Sequence, residues 1–276
     1  MNTFNRCRPN LGTYVEVSLK GDKSDDELTE LSLAVFAQIE HIDKLMSFHD
    51  PESELSLINS AAYKTPINIS KEMFTVLNFA LKLSKLTDGL YDLTIAKVLV
   101  DQGSLPEHGF ENDSSANWTD IELTENSVFF KKPLQIDLGG IAKGFAVDCA
   151  FASIPKGISA NINAGGDIRM TDWKNTQIDI RVPYSESGKM LEANMLSESV
   201  ATSSSYFVEK DSVIISPKDK KTLIDRRSIS IFANNCMVAD ALTKVVFLMD
   251  NSEDILKSFH ATGLVLDEDG NVSWIN

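Results

Sequence analysis

Residues 135–164, QIDLGGIAKGFAVDCAFASIPKGISANINA, decide how the fold is read. QIDL alternates as a strand and runs into Gly139-Gly140. A helix from about Ile141 to Ile154 follows, with Lys143 in its first turn, and ISANIN alternates again. The pattern is a β-turn-α-β passage. Two glycines let a backbone approach a ligand closely, a helix N-terminus presents N–H groups and partial positive charge, and Lys143 adds a full one. Together they suit a phosphate. The pattern matches neither GxxxxGK followed by Ser or Thr nor GxGxxG, and the same residues also make an ordinary tight turn. A second Gly-Gly, Gly165-Gly166 in NINAGGD, again follows a strand, with Asp167 behind it. The plain alternative there is a hairpin turn in which the Asp bonds its own backbone.

Outward from this passage the chain reads as a mixture of helices and short strands. A strand is expected at Thr13–Leu19. Next comes SDDELTELSLAVFAQIEHIDKLM, in which Ser24 and Glu27 form a capping-box signature and Leu28, Leu31, Val35, Ile39, Ile42 and Met46 recur at helical spacing. FHDPESELSLIN contains a short helical piece. A second long helix runs from its cap Ser70 through SKEMFTVLNFALKLSKLTDG to a stop at Gly89. IELTENSVFF (121–130) reads as a hairpin around Glu125-Asn126, and strands are expected in QIDIRVPY, MLSESVATS, SYFVEK, SVIIS and SISIFA. MVADALTKVVFLM and NSEDILKSFH read as helices, and GLVLDEDGNVSWIN as a closing hairpin. No repeat or linker is visible, so the expectation is a single α+β unit over 1–276, with helices packed on a mostly antiparallel sheet.

Composition narrows the function. At 276 residues with 43% hydrophobic content the chain can bury a large core, and its net charge of -14 argues against nucleic acid or anionic membrane as a general partner. A phosphorylated ligand would have to be met by a local device. Cys7, Cys149 and Cys236 lack metal-ligand spacing, and His41, His49, His108 and His260 are scattered. No GxSxG surrounds a serine, so a hydrolase elbow is unsupported. No stretch is long and apolar enough to span a bilayer, and the N-terminus has no apolar h-region or lipobox. The sequence as given therefore reads as cytoplasmic, or periplasmic if a leader was removed. Asp240, in the first turn of an otherwise apolar helix, fits either a helix-dipole interaction or a hard oxygen ligand for Mg²⁺ beside a diphosphate. Thr202–Ser205 fits a polar pocket or a solvated turn.

Taken in order, these pieces resemble the ApbE-type FAD:protein FMN transferases. LGTYVEV (11–17), LMSFHDPESELSLIN (45–59), DGLYDLTIAKV (88–98), QIDLGGIAKGFAVD (135–148), NINAGGDIR (161–169), VATSSSY (200–206) and ADALTKVVFLM (239–249) are each similar to a family motif, the fourth most specifically. The resemblance implies an ApbE/T-fold-like α+β architecture that binds FAD with Mg²⁺ across the diphosphate. It implies transfer of FMN to a Ser or Thr hydroxyl of a target protein, with AMP released. It places Leu11, Phe48, Tyr91, Asp92, Ala142, Lys143, Gly165 and Gly166 at the cofactor. For the metal it implies the Ala142 carbonyl and Asp240, with Thr243 one residue before the family's threonine position, which here is Lys244. Val213 stands at the family's histidine, so no catalytic residue is assigned there. Ser204 and Ser205 replace Gly and Asp, Ser216 replaces an Asp, and Asp219-Lys220 replaces Thr-Gly. These replacements leave two alternatives within the same fold, a non-catalytic FAD-binding protein and a pyrophosphatase splitting FAD to FMN and AMP.

Overall fold

The alternation in TYVEVSLKG and SANINA builds an antiparallel sheet whose buried positions are β-branched and small residues. The computed structural model describes residues 1–183, 188–204, 214–223 and 225–276. In chain order the strands are β1 Asn2–Asn10, β2 Thr13–Gly21, β3 Ile67–Asn68, β4 Ile121–Leu123, β5 Ser127–Phe130, β6 Ser159–Ala164, β7 Asp167–Met170 and β8 Gln177–Arg181. They continue with β9 Met190–Asn194, β10 Ser199–Ser204, β11 Ile215–Ser216, β12 Lys221–Thr222, β13 Ser228–Ala233, β14 Thr262–Leu266 and β15 Val272–Ile275. The α-helices are α1 Asp25–Met46, α2 Glu54–Ala61, α3 Lys71–Leu86, α4 Ala96–Asp101, α5 Ala142–Ala152, α6 Cys236–Leu248 and α7 Glu253–Ser258. The α+β class with a mostly antiparallel sheet is thus the one the chain adopts.

The chain divides into two compact units. The first comprises Met1–Asp43, the described part of 143–206, and Asp225–Asn276. Its sheet has eight strands in the order β1-β2-β6-β7-β10-β13-β14-β15, each pair antiparallel. One face is covered by α1 and α5, where Val15, Val17, Leu19, Ala160 and Ile162 meet Leu28, Val35, Phe36, Ile39, Val147 and Ala150. The expected capping box starts α1: Glu27 N–H donates to Ser24 Oγ, and Ser24 N–H donates to the Glu27 carboxylate. The ribbon of β8 and β9 supplies Ile180 and Ala193 to a second core, with Val200, Phe232, Leu264 and Leu266. β13 is consequently buried at all of its positions, which explains why SISIFA shows no polar face.

The second unit comprises Lys44–Ala142 and the described part of 207–224. Helix α3 begins at its Ser70 cap, whose side chain accepts from Met73 N–H, and its last turn closes as Gly89 N–H donates to Ser84 O with Gly89 at φ +76°. The β4–β5 hairpin forms where IELTENSVFF was read, and β3 extends it.

QIDL departs from the expectation, because it is not a strand. A side chain satisfies its backbone instead. Asn59, at the end of SELSLIN, accepts from Ile136 N–H at 2.8 Å and donates to Ile136 O at 3.0 Å, while Asp137 N–H donates to Leu93 O. A buried backbone needs partners, and one carboxamide supplies both kinds. Strands β1 and β9 were not anticipated: β1 is exposed along one face and β9 covers the sheet only with its partner. The strand expected in SYFVEK lies outside the described residues, as does the start of SVIIS.

Candidate functional site

In the first unit, residues far apart in sequence meet at one end of the sheet. β2 and β6 pair with Val15 opposite Ala164, which sets the β1–β2 turn beside the β6–β7 turn. The first of these turns is Leu11-Gly12, with Leu11 at φ +55°, a left-handed conformation that costs a non-glycine residue roughly 1 kcal/mol. The second is Gly165-Gly166, with φ +62° and +101°, and Gly166 N–H donates to Asn163 Oδ1 at 3.0 Å. A Cβ on Gly165 would lie 2.6 Å from Thr13 Oγ1, so only glycine meets both the backbone and the packing requirement.

The turn directs Asp167 to Lys143. Lys143 Nζ donates to Asp167 Oδ2 at 2.8 Å and lies 3.7 Å from Asp240 Oδ2. Asp240 is fully buried, and Gly144 N–H donates to its Oδ2 at 3.2 Å. Its other oxygen, Oδ1, accepts from Lys244 Nζ. That ammonium also reaches Ser203 Oγ at 3.1 Å and the Asp240 main-chain oxygen at 3.3 Å. Thr243 Oγ1 donates to the same main-chain oxygen at 2.7 Å and shares a hydrogen bond with Ser203 Oγ.

These contacts set the charges. Burial, and then the neighbouring Asp240 charge, push the Asp167 carboxyl up to about 6, with Lys143 and Lys244 acting the other way. Burial also disfavours the Asp240 carboxylate, but Lys143 and Lys244 outweigh it and hold that carboxyl below its usual range. For Lys143 burial likewise acts against the charge, and Asp167 and Asp240 overcome it, so the ammonium persists well above its usual range. Two ammonium groups and two carboxylates thus form one buried lattice.

Two residues that the sequence reading passed over hold this lattice together. Gly144 allows α5 and α6 to touch: a Cβ there would stand 2.4 Å from Cys236 O and 2.9 Å from Asp240 Cβ. Asp148 caps α6 from across, accepting from Cys236 N–H and Met237 N–H at 2.9 Å each and from Arg169 at 2.6 Å. With Asn235 capping the same helix through Val238 N–H, Asp240 lies beyond the first turn, and the dipole reading of it does not hold. An acidic residue on the apolar stretch GFAVDCAFA was the available signal for Asp148. The third glycine of GGIAKG was the signal for Gly144.

The Gly139-Gly140 turn differs from the phosphate-cradle expectation. Gly139 N–H donates to Asp137 Oδ2, while Ile141 and Ala142 N–H donate to Leu138 O, so these groups already have partners. In the second unit, Phe48 is buried against His108 and Phe110, and its carbonyl bonds His108 Nε2. Tyr91 is buried, and its N–H donates to Thr87 Oγ1. Asp92 caps a short 3-10 turn by accepting from Thr94 N–H and Oγ1, each at 2.8 Å; burial raises its pKa above the usual range. Lys220 sits at φ +54°, a left-handed position where the resemblance has Gly, and Ser216 Oγ holds the Asp219 carboxyl below its usual range. Val213 and Ser205 lie outside the described residues.

A model described as the ApbE family matches residues 11–263. The chain belongs to the ApbE family. The protein named FAD:protein FMN transferase in Haemophilus influenzae is 28% identical over 271 residues, covering 87% of this ApbE chain and 78% of that protein. Its namesake in Chlamydia pneumoniae is 26% identical over 261 residues, covering 86% and 82%. The flavin transferase ApbE from Vibrio cholerae superposes with a TM-score of 0.82 at 22% identity, over 99% of this chain and 96% of that one. The ApbE protein of Thermotoga maritima MSB8 gives 0.81 at 22%, with the same coverage. The structural likenesses establish the fold.

Membership raises the question of Mg²⁺, and the donor set of this ApbE chain does not fit it. Mg²⁺ takes oxygen ligands in near-octahedral geometry, usually one or two carboxylates with waters and phosphate oxygens. Here Asp240 Oδ1 holds an ammonium, Oδ2 holds Gly144 N–H, and the Asp240 main-chain oxygen and Thr243 hydroxyl are bonded to each other. Among the described residues no group of three or more His, Cys, Asp or Glu is placed to hold a metal ion. Among the described residues, too, no helix is long and apolar enough to cross a membrane.

Proposed function

We propose that this ApbE-family protein is a flavin transferase that moves FMN from FAD to a Ser or Thr hydroxyl of a target protein and releases AMP. The observation that carries the reading is the convergence of Lys143, Asp167 and Asp240, from three separate motifs, beside the Gly165-Gly166 turn. In the reaction the acceptor hydroxyl oxygen bonds to the FMN-side phosphorus while the bond from that phosphorus to the bridging oxygen breaks. AMP leaves with the bonding electron pair, and the hydroxyl proton is released. Charge accumulates on the phosphate oxygens, and positioning with electrostatic stabilisation supplies most of the rate. A third of the Lys143 side chain is exposed, so its ammonium can face an incoming diphosphate while Asp167 fixes its direction.

Leu11, Phe48, Tyr91, Asp92, Ala142, Gly165 and Gly166 enter the same proposal as FAD contacts, and a flavin-acceptor protein as the partner. The motifs imply Mg²⁺ at Ala142, Asp240 and Thr243, but Lys244 holds the Asp240 carboxylate. The test is to incubate the protein with FAD and an acceptor domain and look for fluorescent, covalently flavinylated acceptor on a denaturing gel. Lys143→Met should lower that labelling by about a hundredfold, as loss of one preorganised charge typically does. Absence of labelled acceptor, where a Vibrio cholerae flavin transferase labels the same domain, would reject the transfer.

The Lys244 contact with Asp240 favours a second reading, FAD binding without chemistry. It predicts bound FAD and no AMP. AMP formed without an acceptor would instead identify water as the nucleophile, as in a pyrophosphatase.

A further inference from the structure

We infer that Lys244 is the resident cation of this site, and that the protein holds the FAD diphosphate without a divalent ion. The inference rests on the reading above that the site takes FAD. It begins with where the ammonium sits. A lysine has three N–H donors, and those of Lys244 face three oxygens: Asp240 Oδ1, Asp240 O and Ser203 Oγ. A hard cation seated by Asp240 and the neighbouring hydroxyl groups would require those same oxygens. Only 19% of the Lys244 side chain is exposed and Asp240 has none of its surface open, so the pair is a built feature and not a surface contact.

The charge balance agrees. Lys143 and Lys244 offset Asp167 and Asp240, and ion pairs connect all four. Seating a divalent ion on Asp240 would first require Lys244 to leave a buried carboxylate. Uncovering such a charge is the costly direction for a buried pair. Position adds to this. Lys244 follows Asp240 by four residues, one helical turn, so α6 itself keeps the ammonium over the carboxylate, and Ser203 on β10, whose hydroxyl is bonded to Thr243, holds it from the side. The roles then divide: Lys244 keeps Asp240 neutralised, and Lys143, one-third exposed, faces the diphosphate.

The test measures FAD affinity by flavin fluorescence in excess EDTA and in excess Mg²⁺, together with Mn²⁺ binding by electron paramagnetic resonance. For the wild-type protein the two FAD dissociation constants should agree within about twofold, a difference under 0.5 kcal/mol. The Mn²⁺ signal should stay that of the free ion, with or without FAD. Lys244→Thr, which frees the carboxylate, should bind FAD at least about tenfold more weakly in EDTA than in Mg²⁺. A wild-type affinity that falls about tenfold in EDTA would overturn the inference, as would one equivalent of wild-type Mn²⁺ binding that Asp240→Asn abolishes. If no flavin binds under either condition, the FAD reading itself fails, and the Mn²⁺ arm still decides the identity of the cation.

Discussion

Gly139-Gly140 and Gly165-Gly166 look interchangeable in the sequence: each was read as a strand's end, and each has a charged residue close behind. The structure gives them different physics. Gly165-Gly166 is a true two-residue hairpin turn, both residues left-handed, with Thr13 against the position a Cβ would take. Gly139 is not left-handed, no strand leads into it, and the nearest atom a Cβ there would meet is Asp137 Oδ2, at 3.1 Å. The glycine that matters in the first motif lies further on, at Gly144, where two helices touch. A glycine pair in a motif therefore says that small residues are needed, without saying whether the reason is conformation, packing or ligand approach.

Substitution separates these reasons. Gly144→Ala should have the largest effect, because its Cβ would sit 2.4 Å from Cys236 O and 2.7 Å from Cys236 C, backbone atoms that no rotamer change can move. Overpacking of this kind costs about 3 kcal/mol. Urea unfolding would show it as a lowered midpoint, and a loss below about 1 kcal/mol would mean that α5 and α6 can separate cheaply. Gly165→Ala should come next at about 2 kcal/mol: a left-handed alanine, whose Cβ would also stand 2.6, 3.0 and 3.1 Å from Thr13 Oγ1, Cγ2 and Cβ, a side chain that can shift where the Cys236 backbone cannot. If the two losses came out equal, the distinction between a packing glycine and a turn glycine would fail.

How far all this could be read in advance depends on the range of the interactions. Local rules were sufficient for α1, with its Ser24–Glu27 box and 3.6-residue stripe, for α3 between Ser70 and Gly89, and for the two hairpins at 121–130 and 262–275. QIDL was misread because alternation cannot reveal that its partner is the Asn59 carboxamide, 77 residues earlier, and not a strand. In the site, Lys143, Asp240, Gly165 and Gly166 were legible as motif residues. Their meeting was not, since it depends on the register of β6 with β2 and β7 and on helix caps contributed from 88 residues away, as Asp148 does for Cys236. The replacement at Lys244 is visible in the sequence, but the resting of its ammonium on the Asp240 carboxylate depends on the fold around Ser203 and α6.

Asp167 sharpens the comparison, because it follows the Gly165-Gly166 turn directly and accepts from Lys143 Nζ. Its folded carboxyl titrates near 6, against 3.8 ordinarily, chiefly through burial. Between those pH values the folded protein holds a proton that the unfolded chain has released, so stability from this group is lost as pH rises from about 4 to about 6. Asp167→Asn removes that loss. The slope of unfolding free energy against pH should become more positive in the variant, by at most about 1.4 kcal/mol per pH unit, the limit for one proton. Urea titrations at several pH values across that window measure it. An unchanged slope would mean that Asp167 stays ionised throughout.

Gly139→Ala should have the smallest effect of the series. Its φ is accessible to any residue, and the Asp137 carboxylate can swing by the few tenths of an ångström that a methyl group needs. The expected change in stability is under about 0.5 kcal/mol, the usual range for a site with no buried contact to lose. That makes it a clean probe of the remaining possibility, that the first glycine pair is there for the ligand. If backbone near Gly139 approaches FAD, the variant should weaken flavin binding while unfolding at the wild-type urea midpoint. If both are unchanged, the first pair serves only to lead the chain into α5.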